Sequence, residues 1–326
     1  MSADMLPVLK FSPIFKSVLW GGTRIAEFKG LPSQGDHVGE SWELSPMAGH
    51  ESVVADGPFK GKTLPEMLAS HGREIMGEKL FERYGEKFPL LIKFIDSTQN
   101  LSIQVHPDDT LAAKRHNSLG KTEMWYSVLP TSTAYLYAGF SQEMSAEKFR
   151  RMVAESTIVD ALSKYYTKPG DVFFLPAGRV HAIGEGNFVL EIQEASDITY
   201  RIYDYNRRDA EGNLRQLHVD EAVDAINYND KAQAVKNVTA APGKEATVED
   251  CSYFTTTLIN VEGEYFLPLA ARDSFTVLIA VKGNLTVTDG EGRVTDLPQG
   301  QTVLVPATTQ AVNIKGNGEA VTVYIR

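Results

Sequence analysis

The sequence contains a single cysteine, Cys251, among its 326 residues. One cysteine cannot form an intramolecular disulfide or a cysteine-rich zinc site, so we expect a buried, inert thiol in a reducing compartment. Long apolar runs are also absent, and residues 1–10 lack the basic and apolar regions of a signal peptide. The sequence therefore predicts a soluble cytoplasmic protein with no membrane partner.

An excess of positive charge is equally absent. The chain has 42 acidic against 32 basic residues and no cationic block. Such a surface repels polyphosphates, so nucleic acid is not an expected partner. An anionic substrate would need a local group of cations, which directs attention to Lys93, Lys121 and Arg201. The sequence gives no prediction of the oligomeric state.

Apolar residues at helical spacing predict three helical segments, at about 63–86, 145–166 and 218–227. Thr63 is a suitable N-cap for the first segment. The stretches between these segments contain short apolar runs rich in β-branched and aromatic residues, which are typical of strands. We therefore expect a mainly β fold with helical insertions.

The length of the chain exceeds the size at which a single hydrophobic core stops growing, so two unequal domains are expected. The polar stretch 240–244 is a natural boundary. We predict a first domain over 1–240 that contains the helical segments, and a second over 241–326. The second consists of short alternating strands and Gly turns, which indicate a β-sandwich or barrel.

Residues 101–107 alternate between apolar and polar side chains, which predicts a strand with one core face. The other face carries Ser102, Gln104 and His106. Because Gln104 and His106 are two residues apart on this strand, they lie on the same face, close enough to bind one metal ion.

Two further residues complete a candidate metal site. Glu123 begins another predicted strand, and His181 ends a segment of the form G-x5-P-x-G-x2-H at 170–181. With Gln104 and His106 they offer two imidazoles and two oxygens, which suit a divalent ion with a free position for water or substrate. A polar strand face exposed to water is the alternative. His116 is the strongest rival ligand, although 114–118 is typical of a solvated loop.

Beyond the ligands, Glu191 and Arg201 are candidate active-site residues. Glu191 lies in a largely apolar strand, where burial would perturb its pKa, and Arg201 is a candidate cation facing the substrate. The alternatives are a structural ion pair with an arginine for Glu191 and a packing ion pair for Arg201.

A possible internal repeat relates the two predicted domains. Residues 300–306 repeat the pattern of 170–176 at an offset of 130 residues, so that His181 corresponds to Ala311. The second copy has therefore lost this ligand if the repeat is real. The alternative is a chance match, because a strand between two turns often gives this pattern.

Four ordered motifs resemble those of the type I phosphomannose isomerases of the short bacterial form. They are Leu-Ser-Ile-Gln-Val-His-Pro-Asp at 101–108, Lys-Thr-Glu-Met at 121–124, the segment that ends at His181, and Glu191 followed by Ser196, Asp197 and Arg201. The resemblance spans the whole chain. It implies two cupin domains, which are jelly-roll β-barrels, with a metal-binding N-terminal barrel and a degenerate C-terminal one.

The resemblance also implies one zinc ion per chain and a phosphosugar substrate, with interconversion of mannose 6-phosphate and fructose 6-phosphate. The family's metal ligands correspond to Gln104, His106, Glu123 and His181, and its catalytic arginine corresponds to Arg201. Longer relatives carry a histidine immediately before the lysine that matches Lys121. Here that position is Gly120, which excludes a histidine base there.

Such an isomerase needs a base that moves a proton between C1 and C2 through an enediolate, and an electrophile for the developing oxyanion. Glu191 and Lys121 are the candidate base and acid, and Ser102 and Lys93 are weaker candidates for binding the phosphate. The apolar strand should raise the pKa of Glu191, whereas Lys121, Arg201 and the metal should lower it, and we expect the cations to keep Glu191 ionised near neutrality. A metal-dependent cupin oxygenase and a non-catalytic sugar-binding cupin are the alternative functions.

Overall fold

The computed structural model describes residues 5–208, 212–230 and 233–326. Within these ranges the chain is mainly β with helical insertions. The helices are α1 Arg24–Phe28, α2 Leu64–Met76, α3 Glu78–Tyr84, α4 Asp109–His116, α5 Ala146–Ala154 and α6 Val219–Ala225, and a 3₁₀ turn covers Ile158–Ala161. None of these helices is long and apolar enough to cross a membrane.

The strands form three antiparallel sheets. In chain order they are β1 Leu9–Ser12, β2 Ile14–Gly22, β3 Val38–Leu44, β4 Val53–Val54, β5 Leu90–Asp96, β6 Ile103–Val105, β7 Glu123–Ser127, β8 Tyr135–Phe140, β9 Leu162–Tyr166, β10 Asp171–Leu175, β11 His181–Ile183, β12 Phe188–Glu194, β13 Tyr200–Tyr203, β14 Val235–Asn237, β15 Lys244–Asp250, β16 Thr255–Pro268, β17 Thr276–Lys282, β18 Leu285–Thr288, β19 Val294–Leu297, β20 Thr302–Val305 and β21 Ala311–Tyr324.

Two of the sheets build the N-terminal part of the fold. A seven-stranded sheet has the order β14-β10-β7-β12-β5-β3-β2, and a five-stranded sheet has the order β13-β6-β11-β8-β9. Strand β7 of the first sheet carries Glu123, whereas β6 and β11 of the second carry Gln104 and His181. The candidate ligands therefore come from both walls of a jelly-roll barrel.

The third sheet contains the C-terminal strands in the order β15-β16-β21-β17-β20, with β18 and β19 beside β21, and it continues into β1 and β4. Leu9 of β1 lies opposite Leu304 of β20. The rings of Phe88 and Phe275 are 4.6 Å apart in a hydrophobic core formed by residues from both parts of the chain. The division at residue 240 stays a prediction, and the strand β1 joins the C-terminal sheet.

The helix predictions are confirmed in two of three segments. The segment predicted at 63–86 is two helices, α2 and α3, separated at Gly77, whose φ is 88°. The segment predicted at 218–227 is α6. The helix predicted through residue 166 is wrong after α5, because Leu162–Tyr166 forms β9, which pairs with β8.

The interpretation of 114–118 as a solvated loop is also wrong for its first residues. Lys114 to His116 form the last turn of α4, which begins after the N-cap Asp108; the Asp108 side chain accepts a hydrogen bond from the backbone N–H of Leu111. Basic residues in the last turn of a helix are stabilised by its dipole. A helix of eight residues is too short to reveal itself by periodicity.

Strand pairing supports the internal repeat, which stays a prediction. Strands β10 and β20 occupy equivalent places, and each follows a glycine with positive φ, Gly170 at 82° and Gly300 at 77°. His181 lies opposite Gln104 in the first copy, and Ala311 lies opposite Pro268 in the second. In the C-terminal sheet the last strand, β21, runs continuously from Ala311 to Tyr324.

Candidate metal centre and active-site cavity

The four predicted ligands converge because of strand geometry. In β6 the side chains of Ile103 and Val105 are buried in a hydrophobic cluster, which turns Gln104 to the barrel interior. His106 follows β6 with the same orientation, since alternate strand residues share a face. The amide nitrogen Nε2 of Gln104 lies 3.4 Å from Nε2 of His106 and 3.2 Å from Nε2 of His181.

Glu123 closes the group from the opposite sheet. Its Oε1 lies 3.3 Å from Nε2 of His181 and its Oε2 lies 3.5 Å from Nε2 of His106. Among the described residues, His106, Glu123 and His181 form a cluster whose ligand atoms all lie within 4.8 Å of one another. Rotation of the Gln104 amide by half a turn points its oxygen at the same centre, which gives the four-donor set predicted from the sequence.

The chemistry of this group fits a metal ion. Both carboxylate oxygens of Glu123 are buried and accept no hydrogen bond, and Nζ of Lys121, at 3.4 Å from Oε2, is a cation beside only one of them. Buried oxygens without hydrogen-bond partners are costly, and a metal ion would satisfy them. The Nδ1 atoms of His106 and His181 each lie 2.8 Å from a backbone oxygen, of Ile198 and Arg179 respectively. Donation from Nδ1 leaves the Nε2 lone pairs free to bind a metal.

Burial also keeps both imidazoles neutral, as metal ligands must be. It holds the pKa of His106 well below its usual value, with a further contribution from the positive charge of Lys121. Burial likewise lowers the pKa of His181 to about 4. These residues are therefore prepared to bind a divalent cation at neutral pH.

A cavity of about 350 Å³ lies beside the metal centre, and Gln104 lines it together with the other predicted site residues. Its walls include Lys93, Ser102, Gln104, Lys121, Glu191 and Arg201. Lys93 and Glu191 lie in the seven-stranded sheet, and Gln104 and Arg201 lie in the five-stranded sheet. The structure thus unites in one space all the catalytic and substrate-binding candidates.

Glu191 is the central acid of this cavity. Its Oε1 lies 3.2 Å from Nζ of Lys93 and 3.9 Å from Nζ of Lys121, and its Oε2 accepts a hydrogen bond from the indole N–H of Trp125. Burial, together with the nearby carboxylate of Glu123, raises the pKa of Glu191 despite these two lysines. The expected opposition between burial and the lysines is therefore present, with burial the larger effect, and the ionised state of Glu191 near neutrality stays a prediction.

The structural alternative for Glu191 was an ion pair with an arginine, and its partner is instead Lys93. Residues 93 and 191 lie directly opposite in the β5–β12 pair. Lys93 also lies 3.8 Å from Glu40. Burial lowers the pKa of Lys93, but the carboxylates of Glu191 and Glu40 outweigh this effect and raise it overall. Lys93 is therefore a permanent cation.

Arg201 lies opposite Gln104 in the β6–β13 pair. One terminal guanidinium nitrogen donates to the backbone oxygen of Gln216, whereas its buried Nε has no hydrogen-bond partner. Burial, with the positive charge of Arg215, lowers the pKa of Arg201. A guanidinium in this position favours an anionic occupant of the cavity.

Ten cavity residues were not among the predicted site residues. They are Val18, Trp20, Glu40, Ile95, Leu101, Trp125, Ile183, Asp197, Thr199 and Arg215. Arg215 is the cationic member of this set, and its one signal was the local density of arginines at 201–215. The rival ligand His116 is outside the metal cluster, because its Nε2 hydrogen-bonds with the hydroxyl of Tyr200 at 2.8 Å.

Steric crowding explains why glycine occupies the position before Lys121. A Cβ atom at Gly120 would lie 2.6 Å from the backbone nitrogen of Asp109 and 2.7 Å from the carbonyl carbon of Asp108. Gly120→Ala should therefore lower the free energy of unfolding by roughly 1–3 kcal/mol, measured by denaturant titration. Gly290→Ala is the control, since a Cβ there meets only the flexible Met5 side chain at 3.6 Å. Equal stability of the two variants would contradict this account.

The jelly-roll barrel and its buried centre of two histidines and one glutamate define a cupin suited to metal binding. Residues 8–127 match the family model of the phosphomannose isomerase type I catalytic domain, and residues 244–325 match that of the mannose-6-phosphate isomerase cupin domain. The chain belongs to the type I phosphomannose isomerase family, and it is an enzyme of this isomerase class.

Individual relatives agree with this assignment. A mannose-6-phosphate isomerase of Bacillus subtilis is 35% identical over 97% of this chain and 98% of its own length. Another from Streptococcus mutans is 35% identical over 86% of this chain and 87% of its own. The crystal structure of mannose 6-phosphate isomerase from Bacillus subtilis superposes with a TM-score of 0.89 at 31% identity, covering 98% and 100% of the two chains. Family membership removes the oxygenase and non-catalytic alternatives.

Proposed function

We propose that the protein interconverts mannose 6-phosphate and fructose 6-phosphate through an enediolate, with one zinc ion per chain. The observation that carries this proposal is the cavity lined by Gln104, Glu191, Lys121 and Arg201, which borders the buried metal cluster. Nζ of Lys121 lies 3.4 Å from Oε2 of Glu123 and so connects the two. Two imidazoles and two oxygen donors suit zinc. When bound, the metal supplies an electrophile for the oxygens that become negative during proton transfer.

Glu191 is the proposed base. It removes the C2 proton of the open-chain aldose to form the enediolate, and it returns a proton to C1. Lys121 gives a proton to the oxygen on C1 and takes one from the oxygen on C2, so that atoms and charges balance. Nζ of Lys121 lies 3.9 Å from Oε1 of Glu191 and 3.4 Å from Oε2 of Glu123. This position between the base and the metal centre supports the proposed role of Lys121.

The cations of the cavity have complementary roles in this proposal. Arg201 stabilises the enediolate or the phosphate, since its guanidinium carries an unpaired, buried Nε–H. Ser102 and Lys93 contribute to substrate binding, and Lys93 also neutralises Glu191 through their 3.2 Å ion pair. Ion pairs and hydrogen bonds of such buried groups are stronger than they would be in water, because the effective dielectric constant is lower.

Arg201→Ala should lower kcat/KM by about 10²–10³-fold, because a preorganised donor to developing charge contributes this much. Zinc content should stay at the wild-type level, since the guanidinium is not a ligand. Arg201→Lys should rescue poorly, because a point charge cannot replace a planar fork. Steady-state kinetics and metal analysis check this prediction. Wild-type kinetics in either variant would move Arg201 to a structural role.

A coupled assay of fructose 6-phosphate formation from mannose 6-phosphate tests the proposed function. Unphosphorylated mannose is the matched control substrate, because it lacks only the anionic group that the cationic residues are proposed to bind. We expect turnover of the phosphorylated sugar alone. Equal kcat/KM for both sugars would contradict the proposed role of these cations.

The proposal also includes the domain organisation and the cellular location of the enzyme. Residues 1–240 form the catalytic domain, and 241–326 form a cupin-like domain without a metal. A phosphorylated substrate and the single Cys251 fit a cytoplasmic enzyme.

A further inference from the structure

The turn between β10 and β11 holds both histidines of the metal centre. The backbone N–H of Gly178 donates to the backbone oxygen of His106 at 2.9 Å. The backbone oxygen of Arg179 lies 2.8 Å from Nδ1 of His181 and accepts its proton. The orientation of this turn therefore sets the ring orientation of His181 and the backbone position of His106.

The side chain of Arg179 anchors the turn on the side opposite the metal centre. It is buried, and its guanidinium forms a two-pronged contact with the carboxylate of Asp230, at 2.5 Å from Nε to Oδ2 and 2.8 Å from Nη2 to Oδ1. The remaining nitrogen donates to the backbone oxygen of Phe174 at 2.8 Å. A bidentate contact between a guanidinium and a carboxylate fixes the orientation of the arginine side chain as well as its distance from the carboxylate.

The segment after α6 supports the same turn. The backbone N–H of Asn227 donates to the oxygen of Gly178 at 2.9 Å. Gly178 has a φ of 90°, and a Cβ there would lie 3.0 Å from the oxygen of Ala225. The turn is thus held between the metal centre on one side and residues 225–230 on the other.

We infer that Arg179 and Asp230 are positioning residues for the metal centre, which act by aiming the backbone oxygen of Arg179 at Nδ1 of His181. This inference rests on the proposed metal-dependent function. Without the ion pair the peptide plane after Arg179 is free to turn, and the His181 ring loses the bond that fixes its tautomer. Loss of such an outer partner typically weakens metal affinity by about 10–100-fold.

The experiment measures zinc affinity by competition with a chelator, in the full-length protein. Arg179→Lys keeps the charge but loses the fork, and Asp230→Asn keeps the shape but loses the charge. Each should bind zinc about 10–100-fold more weakly than wild type. The double variant should be no weaker than the worse single variant, because both remove one interaction.

The matched control is the exposed pair Arg115 of α4 and Asp224 of α6, which forms a salt bridge between two helices that carry no metal ligand. Arg115→Lys and Asp224→Asn should leave zinc affinity unchanged. If Arg179→Lys does not fold, Asp230→Asn decides the outcome, since the Asp230 side chain reaches the surface and is 12% exposed. Wild-type affinity in Asp230→Asn, or equal weakening in the control variants, would overturn the inference.

A second measurement separates positioning from general destabilisation. In metal-free protein, nitrogen NMR of the histidine rings should show Nδ1–H as the His181 tautomer in the wild type and a mixture in Asp230→Asn. An unchanged tautomer would overturn the inference. Neither measurement uses turnover, so failure of the proposed isomerase activity would leave both results interpretable, and the inference can fail while the activity stands.

Discussion

Glu191→Gln is expected to abolish exchange of the C2 proton of mannose 6-phosphate with solvent and to lower kcat by about 10²–10⁴-fold, the usual contribution of a general base. Gln has nearly the same shape as Glu and can keep the contact with Trp125, but it cannot accept a carbon-bound proton. Proton NMR in deuterated water measures the exchange directly. Lys121→Met is the companion variant, which should slow turnover while some exchange persists.

The pH profile provides an independent check of the same assignment. Burial raises the pKa of Glu191 above its ordinary value of 4.5. Because the base must be ionised, activity is lost as pH falls through this raised pKa, so the acidic limb of kcat/KM should lie above pH 4.5. That limb should disappear from the residual activity of Glu191→Gln. If Glu191→Gln still exchanges the proton at the normal rate while Lys121→Met does not, Lys121 is the base.

Combined replacement of His106 and His181 by Ala is expected to remove tight metal binding and to reduce activity to background. Two of the four donors are then missing, and neither alanine can bind a cation. Metal analysis after dialysis, together with the coupled assay, checks this result. Glu123→Gln is the milder companion, because it keeps the side-chain volume and removes only the charge from the same centre.

The wild-type chain should hold one tightly bound ion. In the C-terminal barrel, Pro268 and Ala311 occupy the places of Gln104 and His181, and Thr276 lies opposite Val305 as Glu123 lies opposite Leu175. Proline and alanine offer no side-chain donor. Two tightly bound ions per chain, or metal retained at full affinity in the double variant, would contradict the proposed site.

The sequence was sufficient to predict the candidate ligands, for a simple geometric reason. Strand residues at i and i+2 share a face, so Gln104 and His106 could be assigned to one side before any pairing was known. The repeat at an offset of 130 residues likewise predicted the loss of a ligand at Ala311. These features depend on local periodicity, which a sequence displays directly.

Features that depend on tertiary contacts could not be predicted in this way. The strand Leu162–Tyr166 continues an apolar helical pattern, and only its pairing with β8 makes it a strand. The partner of Glu191 is Lys93 because β5 and β12 are neighbours in the sheet, which no local pattern reveals. The direction of the Glu191 pKa shift depends on the balance between full burial and two lysines, and burial is the larger effect.

Titration of zinc into metal-free protein, with mannose 6-phosphate isomerase activity as the readout, tests the central claim most directly. The proposed site predicts negligible activity after chelation and a linear recovery that ends at about one equivalent of zinc per chain, since the described structure offers one complete donor set. Full activity in the metal-free protein, or recovery that continues to two equivalents, would contradict it.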